Sequence, residues 1–210
     1  MILGDETIRA AQVRKGRSLE FLTIGWNILE AFVAVVAGIA AGSISLVGFG
    51  LDSVIEVSSG VTLMWRLSRD ADAARREKLE NTSLRIVGIT FIALAGYVAI
   101  DAVISLWNRE HPDSSYIGIG LATLSLVIMP LLARAKRRVA SQIQSRALQA
   151  DSRQTDICAY LSAILLGGLL LNALFGMWWA DPVAALVMVP IIAKEGIEAL
   201  KGEACSGGCH

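Results

Sequence analysis

The stretch SISLVGFGLDSVIEVSSGVTLMW, residues 43–65, decides the fold class. It is long enough to cross a bilayer as one helix, for which about 20 predominantly apolar residues suffice. Its apolar residues lie all round the helix rather than along the single stripe of a soluble amphipathic helix. Its only charged side chains are Asp52 and Glu56. A carboxylate at the bilayer centre costs about 3 kcal/mol or more, so two in one span point to function. Four residues apart, they share a helix face about one turn from each other. Two oxygen donors so placed can grip a divalent cation or a proton. The alternative is a structural pair bonded to a neighbouring helix.

The same pattern recurs outward from this stretch. No charge falls between Glu30 and Asp52, Arg85 and Asp101, Asp156 and Asp181, or Asp181 and Lys194. Only Asp113 interrupts the interval from Glu110 to Arg134. The chain has 210 residues, 54% of them hydrophobic, with 19 basic and 19 acidic side chains and no net charge. Mean hydropathy is +0.57. This composition excludes a soluble globular domain, a disordered chain and a nucleic-acid binder. It argues against a membrane β-barrel, whose strands alternate apolar and polar residues in short segments.

The expected fold is therefore an all-α integral membrane protein with six transmembrane helices, over about 21–40, 43–65, 84–107, 116–133, 147–175 and 178–200. The sixth carries Lys194, Glu195 and Glu198 in its last turns. Basic residues set the orientation. They gather before span one (Arg9, Arg14, Lys15, Arg17), between spans two and three (Arg66, Arg69, Arg75, Arg76, Lys78, Arg85) and between spans four and five (Arg134, Lys136, Arg137, Arg138, Arg146, Arg153). The other side has only Arg109. The positive-inside rule then places both termini in the cytoplasm of a multi-pass cell-membrane protein. Trp26, Trp65, Trp107, Trp178 and Trp179 lie mostly near span ends, as interfacial anchors do. The charged first 20 residues argue against a cleaved signal peptide. The expected organisation is an N-terminal cytoplasmic segment, 1–20, a transport domain, 21–200, and a cytoplasmic Cys/His tail, 201–210.

Further polar residues fall inside the spans. Asn27 and Glu30, three residues apart on span one, read either as supporting groups around the span-two acids or as an interhelical hydrogen-bonded pair. Span five opens with Asp151-Ser152-Arg153-Gln154-Thr155-Asp156-Ile157-Cys158. Asp151, Gln154 and Cys158 share one helical face, and Ser152 and Asp156 a neighbouring one. A thiolate, a carboxylate and an amide oxygen beside the span-two acids would suit zinc. A lone Cys in a span is otherwise a small apolar residue.

Gly42-Ser43-Ile44-Ser45-Leu46 followed by Leu51-Asp52-Ser53-Val54-Ile55-Glu56 resembles the second span of the cation diffusion facilitator family, exporters of zinc and related divalent cations. The family's Asp-Pro at the start of span six is matched by Asp181-Pro182, and the likeness runs over about residues 17–201. The resemblance implies a metal site shared by spans two and five. Glu56 stands where the family usually has aspartate. The family's span-five His-x-x-x-Asp has no histidine here, since the two histidines are His111 and His210. One register puts Gln154 and Cys158 at those positions, with Asp151 nearby as in the family's Ala-Asp. The other puts Ser152 and Asp156 there. The first is favoured, and both remain open.

The expected function is export of a divalent cation, zinc first, by proton antiport. Metal and protons compete for the same acids and thiol. The protein would be a secondary transporter rather than an enzyme, with no cofactor beyond the transported ion. Its partners would be divalent metal ions, protons, the lipid bilayer and a second copy in a homodimer. The rival is a non-transporting, metal-sensing or interaction subunit. Family members usually continue into a cytoplasmic metal-binding domain, so the resemblance is to short members without it. Gly38 and Gly42, a small-xxx-small pair, permit close helix packing. Cys205, Cys209 and His210 supply two sulfurs and a nitrogen, one donor short of a closed zinc site, which suits capture better than structure.

Overall fold

The computed structural model describes residues 2–68, 73–143 and 146–201, with side chains outside 1–10, 63, 65–84, 86–87, 144–147 and 150. The tail residues Cys205, Cys209 and His210 and the side chain of Trp65 lie outside the described residues. The described chain forms helices α1 (Ile2–Ala41), α2 (Ile44–Ser68), α3 (Ala73–Asn108), α4 (Tyr116–Ile143), α5 (Arg146–Phe175) and α6 (Ala180–Lys201). No strand occurs among the described residues.

Among the described residues, five stretches are long and apolar enough to cross a membrane: Ala11–Ala41, Ile44–Thr62, Gly88–Asn108, Tyr116–Ile143 and Asp151–Phe175. The expected sixth span is a helix too, but α6 is not among them. Asp181, Lys194, Glu195, Glu198 and Lys201 break up its apolar run. Several helices also outrun the expected spans. α1 begins well before residue 21, α3 before 84, and α4 continues past 133 through Arg134-Ala135-Lys136-Arg137-Arg138. Hydropathy marks where a bilayer would lie. The backbone helix continues wherever Ala, Arg, Lys, Glu and Gln sustain it.

The helices pair most extensively as α1 with α2, α4 with α5, and α3 with α6, and α2 also touches α3, α5 and α6. The α1–α2 hairpin turns at Gly42, whose φ of +66° suits a residue without Cβ. Gly38 lies in the same corner, where an added Cβ would come within 2.8 Å of the Val47 amide nitrogen. Gly38 thus serves close packing of α1 against α2, and Gly42 the turn between them. α3 and α6 come close together at another glycine pair. A Cβ on Gly88 would meet the Gly196 carbonyl oxygen at 2.8 Å, and one on Gly196 would meet the Gly88 oxygen at 3.0 Å.

Phe49, Leu46, Met129, Leu161, Leu165, Leu169, Met188 and Ile192 fill the interior. The outside is apolar as well. Phe21, Leu22, Ile28, Leu29, Phe32, Val36 and Ile39 of α1 are exposed. Such a surface fits hydrocarbon rather than water. The polar side chains are gathered inside instead. Glu20, Asn27, Glu30, Asp52, Ser53, Glu56, Ser125 and Lys136 are all buried.

Candidate metal centre

Glu30 lies at the meeting point of four helices. It is 0% exposed. Ser53 of α2 donates to its Oε2 at 2.9 Å. Ser125 of α4 donates to its Oε1. The Cys158 thiol of α5 lies 3.8 Å from Oε2. The Trp26 indole N–H donates to Ser125 Oγ at 3.0 Å, which fixes the serine from α1. Both oxygens of a buried carboxylate are thus satisfied, as burial of a charge requires.

The span-two pair sits beside this hub. Asp52 is 4% exposed and Glu56 7%. Asn27 Nδ2 donates to Glu56 Oε2 at 2.8 Å. Asn27 Oδ1 is buried with no hydrogen-bond partner. Asp52 lies within electrostatic reach of Glu30 and of Glu195 on α6. Glu56 lies within reach of Asp52, Glu30, Lys136 and Asp151, and Cys158 within reach of Glu56, Glu30 and Asp52. Three carboxylates and a thiol, with an amide oxygen unpartnered beside them, thus form a buried polar cluster in an apolar bundle. Among the described residues, no three His, Cys, Asp or Glu side chains are drawn close enough together to hold a metal ion. The hydroxyls and the Asn27 amide occupy carboxylate oxygens that a bound ion would claim.

The span-five candidates divide. Cys158, 0% exposed, faces Glu30. Asp151 pairs with Lys136 Nζ at 2.5 Å. Gln154 has its Nε2 buried without a partner. Ser152 turns back on its own helix and donates to the Gln149 carbonyl at 2.7 Å. Asp156 forms an ion pair with Arg137 on the half-exposed flank of α4 and α5. The geometry brings Cys158 to the acids of α1 and α2, and directs Asp156 away from them.

Other residues entered the site unannounced. Ser53 and Ser125 carry no signal in a single sequence, because serine is common on every helix face. Lys136 reads as part of a basic loop, yet it is 0% exposed and bound to acids. Its spacing from Ala133 and Ala140, both buried on α4, was the available hint. The Asp-Pro and Gly-Ser motifs meet at the opposite end. Asp181 accepts hydrogen bonds from Ser43 Oγ, Ser45 Oγ and the Ser45 amide. Ser43 Oγ in turn accepts the Leu46 amide at 3.2 Å, capping α2.

A hydrophobic helical bundle with a buried acid cluster between its spans defines the chain as a polytopic helical membrane protein with a candidate ion site. The family model described as the cation efflux transmembrane domain matches residues 21–203, and the chain belongs to that family. It is a multi-pass membrane protein of a cation-transporting family. It is 27% identical over 179 residues to an uncharacterized transporter of Methanocaldococcus jannaschii, MJ0449, covering 82% of this chain and 63% of the relative. It is 26% identical over 188 residues to transmembrane protein 163 of Xenopus laevis, covering 89% and 66%. It is 22% identical over 199 residues to the manganese efflux system protein MneS of Bacillus subtilis, covering 92% and 68%. The chain thus spans less than two thirds of the length of the first two relatives.

Proposed function

We propose that this protein exports a divalent cation, zinc first, in exchange for protons. The observation that carries the reading is the buried Asp52/Glu56 pair on α2, with Asn27 bonded to Glu56, and Glu30 and Cys158, in contact with each other, within electrostatic reach of both acids. These five supply the ligand set. Loading would require the Asn27–Glu56 and Glu30–hydroxyl bonds to yield to the metal. Carboxylates and thiol give up protons when metal binds and recover them when it leaves, which couples the two flows. Alternating access would rock one helix group against another around the site. The Cys158 sulfur supports zinc.

Manganese is the second reading. It rests on the name of the Bacillus relative and on the excess of oxygen donors around Asp52 and Glu56, which suit a harder ion.

In this reading α6 is the sixth span, with Asp181 buried and Glu198 paired with Lys194 on its outer side, and both termini are cytoplasmic. Two copies associate through membrane helices, and Cys205, Cys209 and His210 capture metal at the cytoplasmic mouth. The test is reconstitution. Proteoliposomes with an imposed pH gradient are expected to accumulate zinc, or manganese under the second reading, and to move protons the other way. A folded protein that moves neither ion is a non-transporting sensor or interaction subunit. Uptake without proton counterflow makes it a channel.

A further inference from the structure

Beyond the acid cluster, one turn further along α2 from Glu56, a second polar group fills the bundle. Lys136 Nζ on α4 lies 3.2 Å from Glu20 Oε1 and 3.3 Å from Oε2 on α1. It lies 2.5 Å from Asp151 Oδ2 and 3.4 Å from Thr155 Oγ1 on α5. Gly60 of α2 closes the fourth side, and the position a Cβ would take there lies 3.7 Å from Glu20 Oε2. Glu20 and Lys136 are 0% exposed and Asp151 is 12% exposed. Four helices are thus plugged at one level, between the acid cluster and the end of the bundle where α2 and α4 finish. Glu56 lies within electrostatic reach of both Lys136 and Asp151, which ties the plug to the acid cluster.

The count of charges in the plug matters. One ammonium holds two carboxylates. Removal of the ammonium leaves two acids without a counter-charge in an apolar bundle, and whether they repel each other or take up a proton, the contact that ties α1 and α5 to α4 is lost. Removal of one carboxylate leaves a one-to-one pair.

We propose that Glu20, Lys136 and Asp151 form an ionic gate on the path to the candidate metal centre. Lys136 is a tethered cation that keeps the two carboxylates together and the path shut. The carboxylates it holds are the groups an incoming divalent cation meets first, and the ion opens the gate by competing for them. The gate rests on the export reading for the identity of what passes, but not for its own test.

Cys158 reports the path, because it is buried at the centre seven residues along α5 from Asp151, roughly 10 Å at 1.5 Å per residue. With Cys205 and Cys209 changed to Ser, it is the sole thiol of the chain. The protein in lipid nanodiscs is treated with a charged methanethiosulfonate reagent, and the rate of Cys158 modification is measured. Lys136→Met is expected to raise that rate at least tenfold, and Glu20→Gln to lower it at least threefold. A folded Lys136→Met protein modified at the parent rate overturns the gate. If Lys136→Met does not fold, Glu20→Gln decides, since its remaining pair is balanced: a rate equal to or above the parent's overturns the gate. Zinc and manganese transport play no part in this measurement. Failed transport with the expected labelling rates overturns the export reading and leaves the gate standing.

Discussion

Asp181 accepts the Ser43 hydroxyl at 2.6 Å across 138 positions of sequence. The same carboxylate takes the Ser45 hydroxyl and amide. Two motifs that look unrelated in the sequence, Gly-Ser-Ile-Ser at the α1–α2 turn and Asp-Pro at the start of α6, are therefore the halves of one clamp. It fixes the N-terminal end of α2 against α6, and through α2 it sets the height of Asp52 and Glu56.

That clamp predicts a stability effect at a distance from the acids. Ser43→Ala removes a hydrogen bond to a carboxylate as well as the cap on the Leu46 amide. It should cost about 1.5–3 kcal/mol and lower the unfolding temperature in detergent. An unchanged melting temperature would show that the clamp holds nothing.

The span-two acids predict loss of transport without loss of fold. Asp52→Asn and Glu56→Gln keep side-chain size and remove the charge that offsets a dication. Each should nearly abolish metal flux in proteoliposomes while the protein elutes and melts as the parent does. Near-normal flux from both variants would move the site elsewhere.

The α3–α6 crossing predicts a packing effect. Gly88→Ala places a methyl 2.8 Å from the Gly196 carbonyl oxygen and 2.7 Å from Leu200 Cγ. Backbone cannot yield as a flexible side chain does, so the helices must separate. The expected loss is about 1–3 kcal/mol, read as a lower midpoint of thermal unfolding. Gly96→Ala serves as the control, since no atom lies within 4 Å of its added Cβ. Equal stability of the two variants would mean that α3 and α6 do not meet there.

The tail predicts a kinetic effect. In the proposed capture role, three donors at Cys205, Cys209 and His210 would raise the local metal concentration without closing a shell. Deletion of residues 203–210 should spare folding and maximal rate and raise the metal concentration giving half-maximal flux. An unchanged half-saturation point removes the capture role.

What the sequence revealed, and what it hid, follows from the physics of each signal. Asp52 and Glu56 stand out because charge is costly in an apolar run, so the acids announce themselves without a structure. Cys158 was reachable through helical spacing, and its contact with Glu30 depends on how α5 meets α1. Glu30 was visible, but its place as the hub was not, because its partners Ser53 and Ser125 are common polar residues separated from it along the chain. Lys136 misled, since a basic run after an apolar one reads as solvent-facing. Only the packing of α1, α4 and α5 reveals that one of its cations points inward. The sixth helix was legible as a helix, while its five charged side chains keep hydropathy alone from marking it as a span.

Glu30 carries a consequence for movement. Its two oxygens hold α2 through Ser53 and α4 through Ser125, with the α5 thiol alongside. A rigid displacement of α4 and α5 past α1 and α2 must strain or break these contacts at one small group. An ion that draws Glu30 away from the hydroxyls does the same from within. Loading and helix displacement thus act on the same few bonds. Under the export reading, the carboxylate is a toggle through which the chemical state of the centre and the mechanical state of the bundle each set the other.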